Sequence, residues 1–123
     1  MVTDEIRAFL SDYFDVLQNQ DMSLFDKVFH QDCVLYSTQD DLTVVRPFKA
    51  YREMVQGRAS PASINAPRQD TILMLDVLSD EMALAKVQLR LFDNIMVDYL
   101  NLMKVKGRWT IVAKHFWRKG PAI

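Results

Sequence analysis

The spacing of hydrophobic residues changes once along the chain, from a helical period to a strand period. From Thr3 onward, apolar residues recur three and four positions apart, which predicts a one-faced helix. Its apolar positions are Ile6, Phe9, Leu10, Tyr13, Phe14 and Leu17. Ser23 with Asp26 resembles the capping arrangement of a second, short helix that ends near His30. A third helix is predicted to begin at Pro47 and to end near Gly57.

Strand-like segments fill most of the remaining sequence. Two short strands are predicted at residues 33–38 and 42–46, and four long strands at about 69–78, 82–92, 95–105 and 108–117. The turns between the long strands are short, so neighbouring strands are expected to be antiparallel. Helices followed by a meander predict one α+β domain over residues 1–123, with the N-terminal helices packed in the concave face of a curved antiparallel sheet.

Both faces of the predicted sheet carry apolar residues. In the last strand, alternation separates one set of side chains from another: Trp109, Ile111, Ala113, His115 and Trp117 against Thr110, Val112, Lys114 and Phe116. The helices can cover only one face, and a largely apolar second face needs a cover too. We therefore expect a homodimer packed through the outer face, with a monomer bearing scattered exposed apolar residues as the alternative.

Composition and charge restrict the possible partners. The net charge is -1 and the basic residues are scattered, which argues against nucleic acid. No signal peptide or apolar membrane span is recognisable, so a cytoplasmic protein without membrane association is expected. The single cysteine, Cys33, lies in an apolar run and is interpreted as a small core residue. His30 and His115 are far apart without a neighbouring ligand pattern, so no metal site is predicted, and no cofactor.

The order of these elements, with the phrase Phe29-His30-Gln31-Asp32-Cys33-Val34, resembles the nuclear transport factor 2-like (NTF2-like) superfamily, which includes ketosteroid isomerases and SnoaL-like proteins. The ending is similar to the bacterial group labelled putative lumazine-binding; it runs from Asp98-Tyr99-Leu100-Asn101-Leu102 through Lys104, Gly107, Trp109, Ile111, Val112, Lys114 and Phe116. The resemblance implies a cone-shaped, cystatin-like α+β fold, commonly dimeric, with an apolar pocket between the helices and the inner sheet. Such a fold does not by itself determine a function.

The same resemblance suggests roles for three residues. Tyr13 is similar to the phenolic hydrogen-bond donor of ketosteroid isomerases, although a core tyrosine satisfied by the backbone is an equal alternative. Ser37 stands where those isomerases have a general-base carboxylate, and Asn101 where they have a protonated Asp donor. Serine cannot shuttle a proton at neutral pH, whereas asparagine can still donate a hydrogen bond. The resemblance therefore favours binding of a carbonyl compound or heterocycle over isomerase chemistry.

Charged residues on the long strands have two interpretations. Arg90 and Lys114 either reach the rim of the pocket, with their stems covering apolar surface, or point into it. An inward charge is costly unless it meets a buried carboxylate or an anionic ligand. Asp98 is expected to point outward, because the inner face is taken as the set with Tyr99 and Asn101.

The leading hypothesis is a small-molecule-binding protein whose pocket suits a flat aromatic heterocycle or a polycyclic ketone. Its predicted lining is Tyr13, Tyr51, Tyr99, Asn101, Lys114 and Phe116. The alternative is a SnoaL-like or ketosteroid-isomerase-like enzyme, an isomerase, dehydratase or hydrolase, with Tyr13 as donor and His115 as candidate base. A third hypothesis is a protein-interaction module that uses the outer sheet.

Overall fold

A computed structural model describes every residue from Met1 to Ile123, and its elements follow the predicted order. The helices are α1 (Val2–Asn19), α2 (Met22–Val28) and α3 (Phe48–Gln56), and the strands are β1 (Phe29–Gln39), β2 (Leu42–Pro47), β3 (Asp70–Val77), β4 (Met82–Leu91), β5 (Asn94–Val105) and β6 (Arg108–Pro121). One 3-10 turn, Ala62–Ile64, lies in the long loop before β3. None of the helices combines the length and the hydropathy that a bilayer crossing requires.

The six strands form one sheet in the order β2-β1-β6-β5-β4-β3. Neighbours are antiparallel except β1 and β6, which are parallel because the meander returns to the edge of the first hairpin. The three helices pack against one face of this sheet. The predicted α+β fold, with helices on one side of a curved sheet, is confirmed.

The hydrophobic core lies between the helices and the inner face of the sheet. The apolar face predicted for α1 is buried in it, and so is Cys33, whose assignment as a small core residue is confirmed. Phe25, Phe29 and Tyr51 pack against one another beside the first hairpin, with ring centroids 4.6 Å apart for Phe25–Phe29 and 5.4 Å for Phe29–Tyr51. Burying aromatic side chains of this size contributes much of the stability of a small domain.

The ends of α1 and α3 are joined by one glutamine. Gln20 follows α1 in a left-handed conformation, with φ of 54°, and so directs its side chain toward α3. Its Nε2 donates to the carbonyl oxygens of Val55 and Arg58, each at 2.8 Å. Nearby, α2 is capped by Asp21 rather than by Ser23, because Asp21 Oδ1 accepts from the backbone N–H groups of Ser23 and Leu24.

A bulge in β6 changes which residues share a face. Asn101 and Leu102 of β5 pair with Ala113 and Ile111, so Val112 is an extra residue in β6. Ile111 therefore faces the core on the same side as Lys114, although strict alternation separates them. The prediction that grouped Trp109 and Ile111 with His115 and Trp117 is wrong for this reason.

The side chains of β5 that face the helices are also the opposite set from the one expected. Asp98, Leu100 and Leu102 are buried against the helices, whereas Tyr99 and Asn101 are exposed on the outer face. Asp98 is only 1% exposed, so the expectation that it points outward is wrong. This reversal places a carboxylate inside the domain.

Candidate functional site

A cavity of about 390 Å³ lies between α3, the end of α1 and the inner face of the sheet. This volume falls in the range of small-molecule sites. Its walls combine aliphatic, thioether and aromatic side chains with a few polar groups. The apolar lining includes Leu35, Leu89, Leu91, Met96 and Phe116.

A buried ion pair lies at one end of the cavity. Lys114 Nζ is 3.7 Å from Asp98 Oδ2, and their side chains are 7% and 2% exposed. Because Lys114 is opposite Leu100 in the β5–β6 register, Asp98 is its diagonal neighbour on the inner face. Lys114 Nζ also lies 5.2 Å from the ring centroid of Tyr13 and 5.4 Å from that of Tyr51. Of the two interpretations of Lys114, the structure therefore supports the one in which it points inward and pairs with a buried carboxylate, and not the one in which it lies at the rim of the pocket.

Tyr13 completes this cluster from α1. Its Oη donates a hydrogen bond to Asp98 Oδ2 at 2.7 Å, and the residue is fully buried. Burial, the neighbouring Asp98 and Tyr51 raise the pKa of Tyr13 well above its ordinary value, so the phenol stays a donor. Tyr13 does not line the cavity. Its hydroxyl is satisfied by Asp98, and its position suits orienting that carboxylate rather than touching a ligand.

The electrostatics of the pair follow from burial. Burial raises the pKa of Asp98, while Lys114 and the Tyr13 hydrogen bond oppose that shift. Burial alone acts to lower the pKa of Lys114, but Tyr51 and Asp98 outweigh it and leave this pKa above its ordinary value. Lys114 is therefore an ammonium at neutral pH, and it needs the Asp98 carboxylate as its counter-charge.

One oxygen of Asp98 has no partner in the protein. Oδ2 accepts from Tyr13 and faces Lys114, whereas Oδ1 is buried without any hydrogen bond. Buried polar atoms are nearly always satisfied, and an unsatisfied one costs about 1–3 kcal/mol. Asp98 is also one of the residues that line the cavity, and one oxygen of its carboxyl group is unpartnered.

Two arginines, Arg58 and Arg118, line the opposite end of the cavity. Arg118 is four residues beyond Lys114 in β6. Arg118 Nε donates to Asn94 Oδ1 at 2.6 Å. The Arg58 guanidinium lies 5.4 Å from the ring centroid of Phe92, and its Nε donates to Gln20 at 3.2 Å. Arg58 Nη2 is buried without a partner. This end therefore presents donors, whereas the Asp98 end combines an acceptor with the ammonium of Lys114.

The structure brings three of the predicted site residues to the cavity, namely Tyr51, Lys114 and Phe116. The prediction that Tyr99 and Asn101 line it is wrong, because both lie on the outer face of β5. His115 is also exposed on the outer face, where its ring meets Tyr36 edge-on at 5.8 Å. It cannot serve as the base inside this cavity.

Arg90 does not reach the cavity either. Its Nε donates to the Phe92 carbonyl at 2.8 Å and its Nη2 lies 3.2 Å from Asp93, which fixes it at the β4–β5 turn. Sequence reasoning missed Asp98, Arg46, Arg58 and Arg118 as lining residues. For Asp98 a signal existed, since it has the same facing as Leu100 and Leu102 and Lys114 requires a carboxylate. Arg58 lies in a loop where no periodicity operates.

Residues 1–117 match the model of the family described as "Putative lumazine-binding". The chain belongs to this family. No curated protein sequence matches the chain.

Similar solved structures show the fold. An NTF2-like protein from Silicibacter pomeroyi is 15% identical, with a TM-score of 0.83 and coverage of 95% of both chains. One from Methylobacillus flagellatus is 22% identical, with a TM-score of 0.81 and coverage of 96% of this chain and 92% of that one. A cystatin-like fold protein from Burkholderia xenovorans is 14% identical, with a TM-score of 0.75 and coverage of 95% and 91%. The predicted NTF2-like fold and the predicted putative lumazine-binding group are confirmed.

Proposed function

We propose that this protein binds a small, flat organic molecule in the cavity beside Asp98 and Lys114. The observation that carries the proposal is that Asp98, whose Oδ1 is buried and unpartnered, lines a cavity of about 390 Å³. A pocket with a mostly apolar lining and a few convergent polar groups is the usual form of a ligand site. A bound N–H or O–H group satisfies the buried oxygen and removes its cost.

The walls favour a flat ligand. Leu89, Leu91, Met96 and Phe116 supply apolar contact, and Tyr51 adds a second aromatic ring. The family description refers to lumazine, a bicyclic heterocycle with ring N–H donors and carbonyl acceptors. A heterocycle of that kind can donate to Asp98 Oδ1 and accept from the arginines at the other end.

The test is to fill the cavity. Leu91→Trp places an indole in the cavity, and Leu78→Trp makes the same substitution at an exposed position, 76% accessible, away from the lining. We expect lumazine, followed by its own fluorescence anisotropy, to bind the wild type and Leu78→Trp and not Leu91→Trp. Equal binding by all three proteins places the ligand elsewhere, and no binding to the wild type at millimolar lumazine contradicts this ligand.

A second candidate function is proton-transfer catalysis, and the environment of Asp98 favours it. In this proposal Asp98 takes the role of the general-base carboxylate that ketosteroid isomerases have at the position of Ser37. Asp98 lines the cavity, Tyr13 holds one of its oxygens, and burial raises the pKa of the carboxyl, the direction that favours accepting a proton. In this role Asp98 accepts a proton from a carbon next to a substrate carbonyl.

Solvent exchange tests this second candidate. Incubating β-tetralone with the protein in D2O and following its α-proton signals by NMR measures proton abstraction directly. We expect exchange faster than in buffer, lost in Asp98→Asn and retained in Asp76→Asn, which removes a carboxylate outside the cavity lining. Exchange no faster than in buffer leaves binding as the supported function.

We further propose that the functional unit is a homodimer. Tyr36, His115 and Tyr99 lie in one row across β1, β6 and β5 on the face without helices. Tyr36 and Tyr99 are 38% and 40% exposed, and Trp117 in the same strand as His115 is 48% exposed. A second copy covers the same patch with its own, as a two-fold interface requires.

A further inference from the structure

Two buried side-chain atoms in the chain have no hydrogen-bond partner, Arg58 Nη2 and Asp98 Oδ1. Both residues line the same cavity. One atom is a donor and the other an acceptor, and they belong to opposite ends of the lining. Because unsatisfied buried atoms are rare, their joint presence in one cavity indicates a ligand with complementary groups at two ends.

The lining is strongly positive. It contains Arg46, Arg58, Arg118 and Lys114, but only one carboxylate, Asp98. Three positive charges are therefore unbalanced in the wall of a single cavity, within a chain whose net charge is -1. A concentration of one sign in a cleft with apolar walls attracts an oppositely charged molecule.

The cavity arginines, Arg46, Arg58 and Arg118, differ in their partners from three of the five arginines outside the cavity. Three arginines outside the cavity each lie within 2.6 to 3.2 Å of an aspartate: Arg52, Arg68 and Arg90. None of the cavity arginines forms an ion pair with any carboxylate. Arg58 is stacked on Phe92 and Arg46 lies 6.0 Å from the ring centroid of Phe116, so both are held by aromatic rings instead.

The two ends are separated by a length that suits a bicyclic compound. Asn94, which holds Arg118, precedes Asp98 by four residues in β5. At the rise of an extended strand, four residues span roughly 13 Å between backbone positions, and side chains lean into part of that distance. A two-ring compound with a substituent at each end suits the distance that is left between the side chains of the two ends.

We propose that the ligand is a flat organic acid, whose carboxylate binds Arg58 and Arg118 at one end of the cavity and whose hydroxyl or N–H group donates to Asp98 Oδ1 at the other. This inference rests on the proposed cavity-binding function. Guanidinium groups bind carboxylates with two parallel hydrogen bonds. The carboxylate of a planar acid matches both the charge and the planar geometry of such a group.

The acid end is tested with a matched pair of probes, 6-hydroxy-2-naphthoate and 6-hydroxy-2-naphthamide, by calorimetric titration. We expect the acid to bind the wild type at least about tenfold more tightly than the amide, as a charge-assisted contact implies. Arg58→Gln should remove this preference and Arg52→Gln, at an arginine outside the cavity lining, should keep it. In the wild type, added salt should lower the affinity for the acid more than the affinity for the amide.

The donor end is tested with 2-naphthoate, which lacks the hydroxyl. We expect it to bind the wild type roughly tenfold more weakly than 6-hydroxy-2-naphthoate, because Asp98 Oδ1 is then left unpaired. Asp98→Asn should reduce that difference. The wild-type comparison stands even if this variant folds poorly.

The outcomes separate the inference from the proposed function. Equal affinity of acid and amide in the wild type, with no effect of Arg58→Gln, overturns the inference and leaves cavity binding intact. Equal affinity of the two acids overturns the donor contact at Asp98. No binding of any of the three probes to the wild type at millimolar concentration overturns both the inference and the binding of flat aromatic compounds. Binding that is unchanged in Leu91→Trp places the probes outside the cavity and also overturns both.

Discussion

Tyr13 on α1 and Asp98 on β5 are joined by a 2.7 Å hydrogen bond from the phenol Oη to the carboxylate Oδ2, across 85 positions of sequence. This contact occupies the oxygen that also faces Lys114 and leaves Oδ1 without a partner. It therefore connects the stability of the helix-to-sheet packing with the orientation of the group that a ligand meets.

Removing the phenol hydroxyl of Tyr13 should destabilise the fold while leaving only a very small cavity. We expect Tyr13→Phe to lower the free energy of unfolding by about 1.5–3 kcal/mol, because a buried hydrogen bond to a charged group is lost. Urea denaturation followed by circular dichroism measures the change. Tyr36→Phe, at a tyrosine that is 38% exposed, is the matched control and should change stability little. Equal losses in the two variants contradict a special role for the Tyr13 contact.

The buried pair should show strong coupling in a double-mutant cycle. Asp98→Asn or Lys114→Met alone leaves the remaining partner without its counterpart, and we expect each to cost about 3–5 kcal/mol. The double variant should cost clearly less than the sum of the two, because no charge is then left unpaired. Urea denaturation of the four proteins measures the coupling. Additive costs indicate that the two residues do not interact in the folded protein.

The helices and the four long strands were predictable because their hydrophobic period is regular. The start of β1 was not. Phe29 pairs with Ile111, but the register shifts before Val34, so the intervening residues do not alternate as a regular strand does. The prediction therefore began this strand at Cys33 and extended α2 to His30. Bulges of this kind depend on the partner strand and leave no local period to detect.

The site was only partly predictable for a related reason. Tyr51 could be placed because α3 has one apolar face. On β5, Leu100 and Leu102 alternate with Tyr99 and Met103, so hydrophobicity alone does not distinguish the inner face. The pairing of Asp98 with Lys114 decides it, and this depends on the β5–β6 register, which includes the bulge at Val112.

Alkaline pH should destabilise the protein partly through Cys33. Burial raises the pKa of its thiol from 9.0 to about 11, with Lys114 opposing the shift. The folded state therefore favours the protonated thiol. This contribution is complete below pH 9 and is lost as the pH rises through about 11. Between pH 8 and pH 11.5, we expect the free energy of unfolding to fall by on the order of 2 kcal/mol more in the wild type than in Cys33→Ala.

Comparison with Cys33→Ala separates this effect from other titrations. Tyr13 and Lys114 also have raised pKa values, and both proteins contain them, so only the part of their shifts that arises from Cys33 itself stays in the difference. Urea denaturation of the two proteins from pH 7 to 11.5 gives the measurement. Parallel pH profiles throughout that range show that the thiol titrates normally in the folded state.

The outer face of the sheet should mediate self-association. In the proposed homodimer, Tyr36, Tyr99 and Trp117 of two copies cover one another, and a stable interface of this type buries about 800 Å² per partner. Sedimentation velocity at micromolar concentration should give twice the chain mass of 14.3 kDa. Trp117→Glu should produce monomers, because it places a desolvated, unpaired charge in the interface. Leu78→Glu, at an exposed leucine in the β3–β4 turn, should leave the dimer intact. A wild type that sediments as a monomer rules out this interface, whereas a dimer insensitive to Trp117→Glu moves it to another surface.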